Sequence, residues 1–237
     1  MKLKNLFIPT MMLCLFATAA EAQSSKATAA INTVSVSCPS NSTTATTTCS
    51  TGWTNVMKST IKTSSIADLF VSPSLVTGLY TSTQVKGNGS GSTSSATAMG
   101  TVEVRVVLDP VFDSNGNVVS GTFAQPDNTG SGVIFDQRIQ TLTANLGYIF
   151  TDCIAQGGVG CTLTPEQITL ALDTTSAHSF NFILLNVGTG NHTVLLQSRV
   201  ASDSATTSGG GVAISNALYG LGSLTVESMR LVNSFSF

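Results

Sequence analysis

Charge is scarce in this 237-residue sequence: Asp, Glu, Lys and Arg together make up 9% of it, against roughly a quarter in an ordinary soluble domain. Binding to nucleic acid, or to an anionic membrane by field alone, needs clustered cations, and none are present. Histidine is limited to His178 and His192, and tryptophan to Trp53, with Tyr80, Tyr148 and Tyr219 scattered. Neither a histidine-rich metal centre nor an aromatic platform for sugars can be built from sequence neighbours. No Gly-x-Ser-x-Gly elbow occurs, which removes the commonest serine-hydrolase signature. The glycines at 87–91 have no Lys-Ser/Thr partner and no following helix, so they form a loop rather than a phosphate cradle. Repeats of 20–50 residues, charge blocks and Pro-rich linkers are also missing.

The N-terminus is the clearest positive signal. Lys2 and Lys4 precede an apolar run over 6–20, and Ala20-Glu21-Ala22 puts small residues at both positions that a signal peptidase reads. Pro9 and Thr10 interrupt the run, which is too short for a spanning helix. Cys14 lies inside it with apolar chain on both sides, not after a short small-residue box, so lipid attachment is not expected. The expectation is a cleaved signal peptide over 1–22 and a secreted, periplasmic or surface protein starting near Gln23. Cleavage removes Lys2, Lys4 and Glu21 from ten basic and twelve acidic residues, which leaves eight against eleven, or −3.

Four cysteines then remain, in two local pairs: Cys38 with Cys49 and Cys153 with Cys161. In an oxidising compartment this spacing reads as two disulfides. Three connectivities are possible; the local one is favoured because each pair closes a loop with few hydrophobic residues to hold it. A zinc site would need a second ligand near one of these cysteines, and none lies near.

Alternation of apolar and polar residues marks the strands. It is strongest over 101–109, where Val102, Val104, Val106 and Leu108 alternate with Thr101, Glu103, Arg105 and Asp109. Weaker alternation runs through 31–37, 53–62, 133–146, 179–187, 193–200 and 224–235. Turn signals separate these runs, Asn115-Gly116 and the glycines around 188–191 among them. Thr164-Pro165-Glu166-Gln167 has the cap, first-turn proline and capping-box glutamine of a helix start, so at most one turn of helix is expected there, before a strand over 168–172. Many short strands without long helical patterns predict an all-β fold, an antiparallel β-sandwich of jelly-roll or immunoglobulin-like type. The expected organisation is a loosely ordered segment over 23–50 and a single sandwich domain over 51–237 with a flexible loop at 82–97. The segment Gly190-Asn191-His192-Thr193-Val194, after the strand ending near Val187, resembles the G-x-H-x-V turn and strand of bacterial immunoglobulin-like and fibronectin-like modules. That resemblance implies a sandwich and brings no catalytic or binding residue with it.

Chemistry is harder to place. Asp109, Asp113, Asn115 and Asn117 are weak calcium candidates, but the glycine spacing and Ala124 depart from a calcium loop, and a hairpin tipped by Asn-Gly explains the same residues. Both histidines read as half-exposed residues bonded to loop backbone. Glu103 and Arg105 share one face of a strand, which invites a cross-strand ion pair with a neighbour, and Glu227 and Arg230 on the last strand invite the same reading. A glycosidase would have to gather at least two of Asp109, Asp113, Asp152, Asp173 and Glu166 in one cleft. The C-terminal Phe235-Ser-Phe237 resembles the terminal strand signal of outer-membrane barrels, although interfacial aromatics are missing. No catalytic residue, cofactor or metal is expected. The function expected is structural, adhesive or binding, toward an extracellular protein or glycan and with self-association possible; a carbohydrate-active protein and a small outer-membrane barrel are the alternatives. Asn41, Asn88 and Asn191 head N-x-S/T sites that matter only in a eukaryotic host.

Overall fold

The computed structural model describes residues 27–33, 35–87, 93–146, 148–151, 162–207 and 211–230. Four long strands form the centres of two sheets. In the first, β5 (Ala67–Lys86) pairs antiparallel with β14 (Val212–Met229); in the second, β6 (Ser94–Phe112) pairs antiparallel with β13 (Gly190–Thr206). Shorter strands flank them end to end. β1 (Ala27–Asn32) and β2 (Val36–Ser42) share the free side of β14, and β11 (Gln167–Ser179) and β12 (Phe182–Val187) share that of β5. On the second sheet β3 (Thr46–Ser50) and β4 (Thr54–Thr63) flank β13, while β7 (Val118–Phe123) and β8 (Val133–Ala144) flank β6. A two-stranded ribbon, β9 (Tyr148–Thr151) with β10 (Thr162–Pro165), lies between β8 and β11 in the chain. The two six-stranded sheets pack as an antiparallel sandwich, and no helix occurs among the described residues.

The structure differs from the local sequence signals in three places. The helix start at 164–167 is strand: Thr164 and Pro165 end β10 and Gln167 opens β11. Here β5 offers thirteen consecutive partners, Lys86 back to Ser74, and a continuous ladder overrides a local capping preference. The segment expected to be loosely ordered carries β1, β2 and β3 over much of 27–50, because β14 and β13 extend far enough to pair with it. Of the loop placed at 82–97, residues 82–86 belong to β5 and 94–97 to β6.

The interior changes character along the strands. At one end Leu69, Val71, Leu75, Val102, Val104, Val106, Val194, Leu196, Leu224 and Val226 fill the space between the sheets, joined by Ile61 and Phe182. At the other end, near the loops after β5 and β13, the inward positions are Thr81, Thr83, Ser94, Ser202, Ser204 and Ser215, with Ala96, Ala98 and Ala213. These hydroxyls bond across the gap. Ser40 Oγ lies 2.7 Å from Ser204 Oγ and 2.8 Å from Ser215 Oγ, Ser202 donates to the Cys38 carbonyl at 2.6 Å, and Ser215 donates to the Asp203 carbonyl at 2.9 Å. A serine reaching backbone on the opposite sheet requires close approach. Gly100 permits it, since a Cβ there would stand 3.3 Å from the Asn216 carbonyl oxygen.

Both long sides of this end are closed across the sheets. Cys38 on β2 is bonded to Cys49 on β3, a disulfide tying one sheet to the other with Cα atoms 5.7 Å apart. Opposite it, Gln140 on β8 accepts from Thr81 at 3.0 Å and donates to Thr83 at 2.8 Å and to the Leu170 carbonyl at 2.7 Å. Arg138 donates to the Leu79 carbonyl at 2.9 Å and to Thr174. Cys153 and Cys161 lie outside the described residues.

Candidate functional site

At the aliphatic end β6 leaves its ladder through an irregularity after Leu108, and Asp109 takes a left-handed φ of 48°. Its Oδ1 accepts the Thr193 amide at 2.8 Å, and its Oδ2 lies 2.8 Å from His192 Nδ1. The other imidazole nitrogen of His192 is 3.0 Å from the Gly188 carbonyl oxygen, which also accepts from Thr63 at 2.5 Å. Asp109 and His192 therefore fasten the 188–190 turn to the end of β6.

Asp113 serves a different turn. Its Oδ1 accepts the amides of Asn115 at 2.9 Å and Asn117 at 2.8 Å, and its Oδ2 accepts the Asn117 side chain at 3.0 Å. The Asn117 side-chain bond, followed by the Asn117 amide, holds this carboxylate's pKa below its ordinary value. Asp113, Asn115 and Asn117 thus meet in one hairpin, while Asp109 is bonded to other partners. Among the described residues no three His, Cys, Asp or Glu side chains are grouped for a metal.

Among the described residues, Ser176, His178 and Asp136 form a grouping with the composition of a catalytic triad. The geometry is wrong for one. Ser176 Oγ is 2.6 Å and Asp136 Oδ2 3.3 Å from the same nitrogen, Nε2 of His178, whereas a triad needs the serine and the carboxylate on opposite nitrogens. Asp136 also accepts from Thr77 at 2.6 Å, so this cluster is a cross-sheet tie.

A cluster of ring, ion-pair and hydrogen-bond contacts lies on the outer face of the second sheet, and sequence reasoning missed it. Glu103 and Arg105 project outward from β6, Gln197 and Arg199 from β13, and Trp53 lies over them just before β4. The guanidinium carbons of Arg105 and Arg199 are 4.3 and 4.6 Å from the Trp53 ring centroid, and that of Arg105 is 5.2 Å from the Phe123 ring. The expected cross-strand ion pair exists, with Arg199 as the partner of Glu103. Arg105 donates to Gln197 Oε1 and to the Gly130 carbonyl, each at 2.7 Å. Burial, then the neighbouring Arg199 charge, lowers its pKa, while Asp127 acts the other way.

The loop docked on this face is folded around Asp127. That carboxylate accepts the Gly132 amide at 2.6 Å, the Thr129 hydroxyl at 2.9 Å and the Ser131 amide at 3.2 Å. Burial opposes its ionisation, but these bonds together outweigh burial and lower its pKa. Gly132, at φ 87°, packs against the Trp53 ring so closely that any side chain would collide with it. The alternation of Glu103 with Arg105 and of Gln197 with Arg199 signalled the face; only tertiary structure could bring Trp53 and the loop to it. Elsewhere a hollow of about 450 Å³, lined by residues 64–67 and 228–230, lies between the start of β5 and the end of β14.

No protein-family model matches the chain, and no curated protein matches it. Among solved structures, a mutant VP2 protein of infectious bursal disease virus in derived T=1 particles is 11% identical, with a TM-score of 0.17, over 88% of this chain and 41% of that one. The structure of the Gx strain of infectious bursal disease virus is 9% identical, with a TM-score of 0.16, over 89% of this chain and 46% of that one. The chain spans under half the length of these viral chains. At such scores nothing of their roles transfers to it.

Proposed function

We propose that this chain is an exported β-sandwich protein with a structural, adhesive or binding role at the cell surface, in the periplasm or in the medium. The observation that carries the proposal is the Cys38–Cys49 disulfide, which joins the two sheets and is of a kind rare where thiols are kept reduced. It agrees with the signal-peptide pattern over 1–22. The Trp53, Arg105 and Arg199 face supports the binding part, because tryptophan and arginine are the side chains that most often anchor a partner. The partner is an extracellular protein or glycan.

The carboxylates named for the carbohydrate-active alternative are spread along the described residues, and Asp152 lies outside them. The Glu166 backbone carbonyl accepts the Gly87 amide at the hydroxyl-rich end, beside the start of β6, whereas Asp109 and Asp113 sit at the far end of that strand. The fifteen steps from Ser94 to Asp109 amount to roughly 50 Å at about 3.3 Å per residue. The barrel alternative requires apolar residues outside and polar ones inside, whereas the valines of β6 point between two packed sheets.

The test is to express the full chain with its own N-terminus and fractionate the cells. The expected product is in the exported fraction and begins at Gln23. A cytosolic product that retains Met1 contradicts the proposal.

A further inference from the structure

Sheet edges are where a β protein either protects itself or meets another chain. Most flanking strands here are protected. β1, β2, β3, β7 and β12 have five to seven residues each; β4 carries Lys58 and Lys62; β8 carries Asp136 and Arg138; and the ladders of β4, β7, β8 and β12 all contain register shifts. Of these devices β11 has only a charge, at Asp173. It is thirteen residues long, pairs with β5 without a shift, carries no Lys, Arg or Pro, and is exposed at every position from 167 to 175.

Its hydrogen-bonding parity can be read directly. Gly87 donates to Glu166, and Phe180 donates to Pro73, so the even-numbered residues of β11 face β5. The amides and carbonyls of Gln167, Thr169, Ala171 and Asp173 therefore point to the open edge. Gln140 and Arg138 reach β11 through Leu170 and Thr174, both even, and leave that edge unoccupied. Ile168, Leu170 and Leu172 lie opposite Val85, Thr83 and Thr81, which are buried in the core, and yet they remain 46%, 42% and 45% exposed. They are core-facing side chains at the rim of the sheet that, among the described residues, have no strand beside them on the open edge.

We infer that β11 pairs antiparallel with β11 of a second copy of this chain, about a two-fold axis at Leu170. The segment Gln167-Ile-Thr-Leu-Ala-Leu-Asp173 is self-complementary in this register. Gln167 meets the second copy's Asp173 and Thr169 its Ala171 as hydrogen-bonded pairs, while Ile168 meets its Leu172 and Leu170 meets its Leu170 as close, non-hydrogen-bonded pairs. No like charges face each other. Glu166 falls opposite the second copy's Thr174, the residue to which Arg138 is bonded, so an acidic and a basic side chain approach from the two copies. Pro165 lacks an amide hydrogen and ends the pairing. A strand pair of this length buries less than the roughly 1,200 Å² of a standard stable interface, so the dimer is concentration-dependent. This inference does not rest on export.

Sedimentation of the purified, oxidised chain across a concentration series tests it. A monomer–dimer equilibrium is expected, weakened roughly tenfold or more by Leu170→Lys and by Ala171→Pro, whose lost amide faces the open edge. Should Ala171→Pro unfold the chain, Leu170→Lys decides alone. Leu170→Cys should form a disulfide-linked dimer on removal of reductant, and Leu185→Cys, exposed on β12 of the same sheet, should not. A chain that stays monomeric throughout, a dimer that survives Leu170→Lys, or growth beyond dimers would each overturn the inference.

Discussion

The two ends of the sandwich are built from the same four strands and held by different forces. Around Val104 and Leu196 the sheets are filled by aliphatic side chains, and stability there comes from apolar area removed from water. Around Ser204 and Thr83 the filling is hydroxyls, alanine and glycine, and the sheets are joined by a disulfide on one side and by Gln140 on the other. Small side chains bring the sheets close and so supply little apolar burial. The same closeness lets each hydroxyl find a partner across the gap, without which its burial would be costly.

This contrast predicts a ranked series of losses. Phe182→Ala, at a fully buried aliphatic-end position, should cost about 3–5 kcal/mol by chemical denaturation. Breaking the disulfide with Cys49→Ser should cost about 3 kcal/mol, given its eleven-residue separation. Gln140→Leu keeps a similar volume but strands the Thr81 and Thr83 hydroxyls, so about 2 kcal/mol is expected. If the leucine variant were more stable than the parent, the hydroxyl-rich end would be an ordinary apolar core in waiting, and the comparison would fail. Ser215→Ala removes one member of a shared network and should cost about 1 kcal/mol.

The smallest effect belongs to the outer loop. Asp127 has a lower pKa folded than unfolded, so its contribution is present above the ordinary carboxylate value of 3.8 and is lost as pH falls through the folded value. Trp53 fluorescence should therefore change on acidification below about pH 4 while the sheets persist, and Asp127→Asn should show that change at neutral pH. An acid-insensitive Trp53 signal would detach the loop from this account.

The aliphatic end was the legible one. Val102 to Leu108 announce a half-buried strand because their inward positions are all apolar, and the Asn115-Gly116 hairpin follows from turn chemistry alone. The longest strand, β5, was missed for the opposite reason: Thr77, Thr81 and Thr83 point inward, so hydropathy does not alternate where burial does. β5 also contains Pro73. Its missing amide falls at the break between β11 and β12, where little is lost. In β14 the inward set changes from odd to even across the irregularity between Tyr219 and Gly222, which blurs the period over its full length. The Trp53 cluster needed three separate segments to meet, and no local pattern encodes that.

Hydrogen exchange on the oxidised and the reduced chain tests most directly the claim that a cross-sheet disulfide holds one end while aliphatic packing holds the other. On reduction, amides of β2, β3 and residues 213–219 should lose protection while those of 102–108 and 194–200 keep it. Uniform loss along all four long strands, or no change at β2 and β3, would contradict it.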